Sequence, residues 1–159
     1  DLLGAIFQRL EATLITPGFS GRPQQFFTEA KEFDLASFLC EGARRFFGHA
    51  DKYVLYTWQL LMSNQYFHEA ARKGVREHLL NAPLRFFTAI LQRVQAAGKI
   101  SGNVDCDSGG RIIAAVFFDY SFRTILDAAW KTEEEADDDE AAFCRLEKDI
   151  RQLCRSFSE

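Results

Sequence analysis

Apolar residues recur every three or four positions along most of the chain, which is the spacing of one face of an α-helix. Such runs cover residues 2–14, 35–47, 51–65, 84–98, 110–130 and 143–157. Turn-forming residues lie between them, such as Gly48 after the second run. Asn81 and Pro83 have the order of a helix cap followed by a first-turn proline, and Gly98 is placed to end the next helix. No segment alternates apolar and polar residues long enough to predict a strand, so the pattern predicts an all-α fold.

The run from 110 to 130, GRIIAAVFFDYSFRTILDAAW, is apolar on two sides of a helix. On a helical wheel the two sides are formed by Ala114, Phe118, Phe122, Ile125 and Ala129, and by Ile113, Phe117, Tyr120 and Thr124. Asp119, Arg123 and Asp127 share a dividing edge, where their spacing favours ion pairs. Three charges near the middle disfavour a membrane span. We therefore expect protein on both sides of this helix, with Asp105 or Asp107 as its N-terminal cap.

The last run has apolar residues at alternating spacings of three and four, which is a heptad seam. Its members are Phe143, Leu146, Ile150, Leu153 and Phe157. A narrow seam next to a helix with two apolar faces predicts a homodimer, in which the last two helices of each copy form a four-helix bundle about a two-fold axis. The alternative is a monomer in which the last helix simply covers the one before it.

The composition fits one globular domain of 159 residues, with 47% hydrophobic and 26% charged residues and an unusual sixteen phenylalanines. The net charge of -4 arises from the acidic run Glu133 to Glu140. Neither this run nor the rest of the chain forms the basic stripe that nucleic-acid binding requires. Four cysteines without a CxxC pair favour reduced thiols in a cytoplasmic protein, and no signal peptide is visible. We expect that further sequence precedes Asp1, because the chain opens inside an apolar run.

Two segments give the chain a resemblance to a known family. They are DLLGAIFQRLEATL at the start and LRFFTAILQRVQAAGKISGNVDCDSGGRIIAAVFFDYSFRTIL in the second half. In the second segment a long helix ends at Gly98, a short hydrophobic step follows at Ile100, and Asp107 opens the next helix. This order resembles the TetR (tetracycline-repressor-like) family of bacterial transcription regulators over essentially the whole chain, without that family's N-terminal helix-turn-helix.

The resemblance implies that residues 1–159 form a ligand-binding and dimerisation domain. In that family a small molecule enters the helical core of each subunit and changes the spacing of two DNA-reading heads. The partners implied are a second copy, a small-molecule effector, and operator DNA through the missing N-terminal domain only. The resemblance implies no catalysis and no cofactor.

A binding pocket is indicated by aromatic residues interleaved with a few polar ones in YVLYTWQLLMSNQYF, a mixture typical of small-molecule cavities. The candidate ligand-binding residues on this and the later helices are Trp58, Gln59, Met62, Phe87, Phe118, Tyr120 and Phe122. We expect them to surround an elongated, mainly apolar cavity, with Gln59 and Tyr120 as polar anchors. Aromatic residues at helical spacing also occur in ordinary cores, so core packing is the competing interpretation for each.

Two other functions are open alternatives. A helical-bundle metal-dependent enzyme could use His68, His78 and nearby carboxylates, although no HExxH motif is present. The segment DCDSGG, residues 105–110, begins like a calcium loop, but position twelve is Val116 instead of a glutamate. A lipid-binding carrier without a DNA partner is the second alternative.

Overall fold

The computed structural model describes residues 34–48, 52–127 and 137–158. Six α-helices and one π-helical segment account for most of these residues. They are α1 (Leu35–Gly48), α2 (Lys52–Asn64), α3 (Glu69–Gly74), the π-helical segment (Val75–Asn81), α4 (Ala82–Ala96), α5 (Cys106–Asp127) and α6 (Asp137–Ser156). No strand occurs in the described ranges, which confirms the all-α prediction. The helix predicted over residues 2–14 lies outside them.

The π-helical segment runs directly into α4, so the helix boundary predicted at Asn81 is present, but the predicted cap is wrong because the helical backbone continues through Asn81. Asn81 has helical angles, φ -76° and ψ -43°, and makes no capping bond through its side chain. The cause is Pro83, whose ring would clash with the carbonyl four residues earlier in a regular α-helix. Wider π turns avoid this clash, and the Ala82 N–H accordingly donates to the Glu77 carbonyl, five residues back.

The corner between α4 and α5 follows the sequence prediction closely. Gly98 has φ +68°, a left-handed conformation that favours glycine, and the Lys99 N–H donates to the Val94 carbonyl at 3.0 Å. Asp105 caps α5, since its carboxylate accepts the N–H of Asp107 at 3.0 Å. Its hydrogen bonds with the Ser108 hydroxyl and N–H lower the pKa of the Asp105 carboxyl. The corner therefore has a fixed geometry that sets α4 and α5 side by side.

Helices α4 and α5 pack closely against each other, and two glycines of α5 lie at the contact. A Cβ atom added at Gly110 would lie 2.4 Å from the Thr88 hydroxyl oxygen and 2.7 Å from the Thr88 backbone nitrogen. At Gly109 it would lie 2.8 Å from Leu91 Cδ1 and 3.3 Å from Phe157. Two consecutive glycines thus let the backbone of α5 contact α4 directly, with the end of α6 beside them.

The predicted dimer seam of α6 lies in the core of the single chain. Phe143, Leu146, Ile150 and Phe157 are at most 7% exposed, and Leu153 packs on the same core. Helix α6 contacts both α5 and α1. Arg44 on α1 pairs with Glu147 at 3.0 Å and lies 4.6 Å from the centre of the Phe143 ring. Within the chain these side chains are therefore covered by α1 and α5, as in the monomer alternative.

Charged and polar side chains cover the opposite side of α6. Arg145, Lys148, Asp149, Arg151 and Arg155 are all exposed there. An amphipathic helix with one apolar seam needs one partner surface, and the groove between α1 and α5 supplies it. Within the described ranges, no helix is long and apolar enough to cross a membrane.

Candidate effector-binding region

The buried apolar side chains of the described residues fall into a main core and a smaller set beside it. The main core is built from α1, α4, α5 and α6. Trp58 and Leu61 on α2, Ala71 on α3 and Val75 are also buried, but do not belong to it. The side chain of Leu61 comes within 3.6 Å of a Cβ added at Gly74, where α2 meets α3. Helix α2 is therefore attached to the molecule through its own small cluster.

Helix α5 presents apolar side chains on two sides, and they differ in burial. Ile113 and Phe117 are buried in the main core, with the Phe117 ring 4.8 Å from that of Phe87. On the other side Phe118 and Phe122 are half-buried, and their rings stack 5.8 Å apart. The first side is close-packed core, whereas the second is only partly covered.

The neighbours of α5 can be assigned to its sides from the contacts described above. Helix α4 touches the Gly110 side, and α6 lies on the side of Gly109 and Tyr120. Helix α2 and the π-helical segment also contact α5. Phe118 and Phe122 lie about 80° to 120° around α5 from Gly110, on the side away from these contacts with α4 and α6. The region between α2 and this side of α5 is hereafter called the α2–α5 region.

Helix α2 carries three of the seven predicted ligand-binding residues, Trp58, Gln59 and Met62, while α5 carries Phe118 and Phe122, and the two helices contact each other. Trp58 is buried, whereas the other four are half-buried: Gln59, Met62, Phe118 and Phe122. Four of the five are apolar, and Gln59 is the polar side chain among them. Such a surface could hold an apolar or aromatic molecule and orient it by one amide, as small-molecule pockets commonly do. Because the four half-buried side chains are only partly covered, they retain exposed surface that a ligand could cover.

The structure does not bring the other two predicted residues to this region. Phe87 is 1% exposed and packs between Phe86 and Phe117 in the main core. Tyr120 packs edge-on against Phe143 of α6, with ring centres 6.1 Å apart. It lies about 200° around the helix from both Phe118 and Phe122, so it cannot anchor a ligand beside them. Both residues are structural instead.

Sequence reasoning missed two buried residues on the elements that follow α2. Ala71 and Val75 have the i,i+4 spacing of one helix face and are buried, and α3, which carries Ala71, contacts α2. Their sequence signal is a single pair of apolar residues. It falls at the end of YFHEAARKG, where the apolar spacing becomes irregular because the helix changes from α to π geometry.

The charges predicted along the edge of α5 are paired on the surface. Arg123 Nε lies 2.9 Å from Asp119 Oδ2, and both side chains are largely exposed. Asp119 lies about 100° around the helix from Phe118. This geometry fits the ion pairs predicted along this edge of α5. It does not fit a polar anchor for a ligand in the α2–α5 region. The side chain of Asp127 is not among those that the structure describes.

The groups that a metal enzyme would use have other roles. Glu77 accepts hydrogen bonds from Arg85 and Asn81, which lower the pKa of its carboxyl. Glu69 pairs with Lys73 at 2.8 Å. Over the described ranges, no group of three or more histidine, cysteine or carboxylate side chains is placed to hold a metal ion.

The buried thiols are unsuited to nucleophilic chemistry at neutral pH. Burial raises the pKa of Cys154 to about 12. It also raises the pKa values of Cys40 and Cys106, because a thiolate is poorly solvated among apolar side chains. These three thiols stay protonated, and a protonated thiol is a weak nucleophile.

The chain was also compared with known proteins. No protein-family model, curated protein or solved structure matches it.

Proposed function

We propose that this chain is the regulatory domain of a TetR-like transcriptional repressor, acting in the cytoplasm as a homodimer. It binds a small apolar or aromatic effector in the α2–α5 region. Binding controls the DNA affinity of a helix-turn-helix that precedes Asp1 in the full-length protein. The basis for the family is the sequence resemblance described above, together with an all-α fold in which α4, Gly98 and α5 follow one another as expected.

The observation that carries the effector site is the difference between the two sides of α5. Ile113 and Phe117 are fully covered, so their side is complete without a ligand. Phe118 and Phe122 keep apolar surface that a small molecule could cover. Covering such surface is favourable by roughly 25 cal/mol for each Å² removed from water. Micromolar binding corresponds to about 8 kcal/mol, which at this value requires roughly 330 Å² of apolar surface to be covered, so the effector needs more than one aromatic ring.

The proposed response to the effector is a change in the position of α2 relative to α5. Helix α2 contributes no residue to the main core and contacts both α3 and α5, so a molecule bound between α2 and α5 would act directly on the position of α2. The π-helical segment contacts α5 and directly follows α3, which packs against α2, and π turns inside α-helices are frequent at functional sites. A coupling of about 1 to 3 kcal/mol between effector and DNA is typical of such switches, a change of 5- to 150-fold in affinity.

A fluorescence titration with phenylnaphthylamine, an apolar aromatic dye, tests the proposal. The wild-type protein should increase the dye's emission saturably, with half-saturation at micromolar dye. Trp58→Ala and Phe118→Ala should each weaken binding about tenfold, which corresponds to about 1.4 kcal/mol. Ile112→Ala is the matched control, because Ile112 is an exposed apolar side chain on another side of the same helix.

Two results would contradict the site. One is the absence of saturable dye binding to the folded wild-type protein. The other is equal loss of binding in Ile112→Ala and Phe118→Ala, since that would show that the dye reports general surface hydrophobicity. Circular dichroism of each variant verifies that the helices are intact.

A further inference from the structure

The helical backbone continues without a break from Glu69 to Ala96, and it has buried residues on both sides of the π-helical segment. Ala71 in α3 and Val75 at the start of the π-helical segment are buried. They form the first buried face. The second buried face belongs to α4, where four residues are part of the main core: Phe87, Ile90, Leu91 and Val94. The π-helical segment therefore sets the angle between the two buried faces.

The two buried faces point in similar directions only because the π-helical segment contains an extra residue. At about 100° per residue, an unbroken α-helix would set the mean direction of the α4 face about 130° from that of Ala71 and Val75. A π hydrogen bond spans five residues instead of four, as from the Ala82 N–H to the Glu77 carbonyl, which reduces the angle by about 100°. The remaining angle is about 30°. Helix α2, which contacts α3, and helix α5, which packs on α4, can thus lie on one side of the same helix.

An ion pair across the π-helical segment depends on the same extra residue. Arg85 on α4 pairs with one carboxylate oxygen of Glu77, and the Asn81 amide donates to the other at 3.3 Å. In an unbroken α-helix, residues eight positions apart lie about 80° from each other around the axis. With one residue inserted, the angle between Glu77 and Arg85 falls to about 20°. The pair is therefore favoured by the π geometry and not by a regular α-helix.

We infer that the π-helical segment is a conformational latch, closed by the Glu77–Arg85 pair, that fixes the direction of α3 and of α2 packed on it relative to α4. Pro83 excludes a simple conversion to α geometry, because its ring would clash with the carbonyl four residues earlier. When the pair opens, the segment loosens and the first buried face turns away from the second. Helices α2 and α3 contribute no residue to the main core, so this opening is local. The latch belongs to the fold and does not depend on effector binding.

Hydrogen–deuterium exchange of the full chain, followed by mass spectrometry of its peptides, tests the ion pair. Glu77→Arg and Arg85→Glu each oppose two like charges, and each should speed exchange in α2 and α3 about threefold while α4 is unchanged. The double variant, Glu77→Arg with Arg85→Glu, restores an ion pair and should exchange like the wild type. Arg76→Glu is the matched control, because it makes the same charge change at an exposed residue of the same segment. It should leave exchange unchanged.

A deletion tests the extra residue by a separate route. Leu80 is an exposed residue of the π-helical segment. Deleting it together with Pro83→Ala leaves a sequence that a regular α-helix can accommodate with both buried faces still aligned. This variant should therefore unfold cooperatively in a thermal melt followed by circular dichroism. Deleting Lys148, an exposed residue in the regular helix α6, should abolish the cooperative transition, because it turns half of the apolar seam away from the core.

Four results would overturn the inference. A charge-reversed double variant that exchanges as fast as the single variants would show that Glu77 and Arg85 do not meet. Single variants that exchange like Arg76→Glu would show that their pair does not close the segment. Equal acceleration in α4 would indicate a general loss of stability instead of a local opening. Loss of cooperative unfolding on deletion of Leu80 with Pro83→Ala would show that the two faces are not aligned by an extra residue.

Discussion

Replacing Gly110 with alanine tests the crossing of α4 and α5, where an added Cβ atom would have a closer neighbour than at any other described glycine. The added methyl group would lie 2.4 Å from the Thr88 hydroxyl oxygen, 2.7 Å from the Thr88 nitrogen and 2.9 Å from the Thr88 Cα. The hydroxyl could rotate away, but the two backbone atoms could move only if the helices separate. Separation would loosen the contacts of Phe87 and Leu91 in the main core.

The magnitude follows from two opposing effects. Overpacking a core typically costs about 1 to 3 kcal/mol, and a clash with backbone belongs at the upper end of that range. Alanine is favoured over glycine inside a helix by about 1 kcal/mol. Gly110→Ala should therefore lower the free energy of unfolding by roughly 2 kcal/mol. Gly109→Ala should cost less, because its nearest atom is the flexible end of the Leu91 side chain.

The assay is urea unfolding followed by far-ultraviolet circular dichroism, with Gly42→Ala as the matched control. Gly42 lies inside α1 and a Cβ added there meets nothing within 4 Å. Its replacement should therefore raise the free energy of unfolding by about 0.5 to 1 kcal/mol. The same substitution thus has opposite signs at the two sites. A Gly110→Ala protein as stable as the wild type would refute the close α4–α5 crossing.

The remaining predictions concern the core, the thiols and DNA. Phe87→Ala should cost about 3 to 5 kcal/mol in urea unfolding, and Phe118→Ala less than half as much, because only Phe87 is fully buried; equal losses would make Phe118 ordinary core. Ile150→Glu should unfold the monomer, with a loss of roughly 3 kcal/mol or more, since Ile150 is 2% exposed; a folded monomeric variant would return the α6 seam to a dimer interface. Of the four cysteines, the exposed Cys144 alone should react rapidly with dithiobis(nitrobenzoate) at neutral pH, and all four should react in denaturant; rapid reaction of more than one native thiol would contradict the burial of the others. Residues 1–159 alone should not shift duplex DNA in gels at physiological salt, and saturable binding would contradict this.

The corner between α4 and α5 was predictable because its signals are local. Gly98 and Asp105 act through their own backbone and side chain, within a few residues of the helix ends. The π-helical segment was not predictable in the same way. Pro83 near Asn81 is consistent with either a new helix or a distorted continuous one, and the choice depends on what α3 and α4 pack against.

The sequence pattern also did not reveal which surfaces the apolar helix faces pack against. A heptad seam such as that of α6 needs an apolar groove, but the pattern does not say whether α1 and α5 of the same chain or a second chain provides it. The two sides of α5 could be separated on a helical wheel, yet which neighbour each side meets is set by the crossing at Gly110. For this reason Tyr120 and Phe87 were grouped with Phe118 although they lie in the main core.

The central claim, an effector site in the α2–α5 region, is tested most directly at Met62. Met62 is the single methionine of the chain and lies half-buried on α2. A protein grown with isotope-labelled methionine should therefore give one methyl resonance in a nuclear magnetic resonance spectrum. Adding phenylnaphthylamine should shift this resonance saturably at micromolar dye in the wild type and in Ile112→Ala, whereas Phe118→Ala should need about tenfold more dye for the same shift. A resonance that stays unchanged while the dye binds would place the ligand elsewhere and contradict the account.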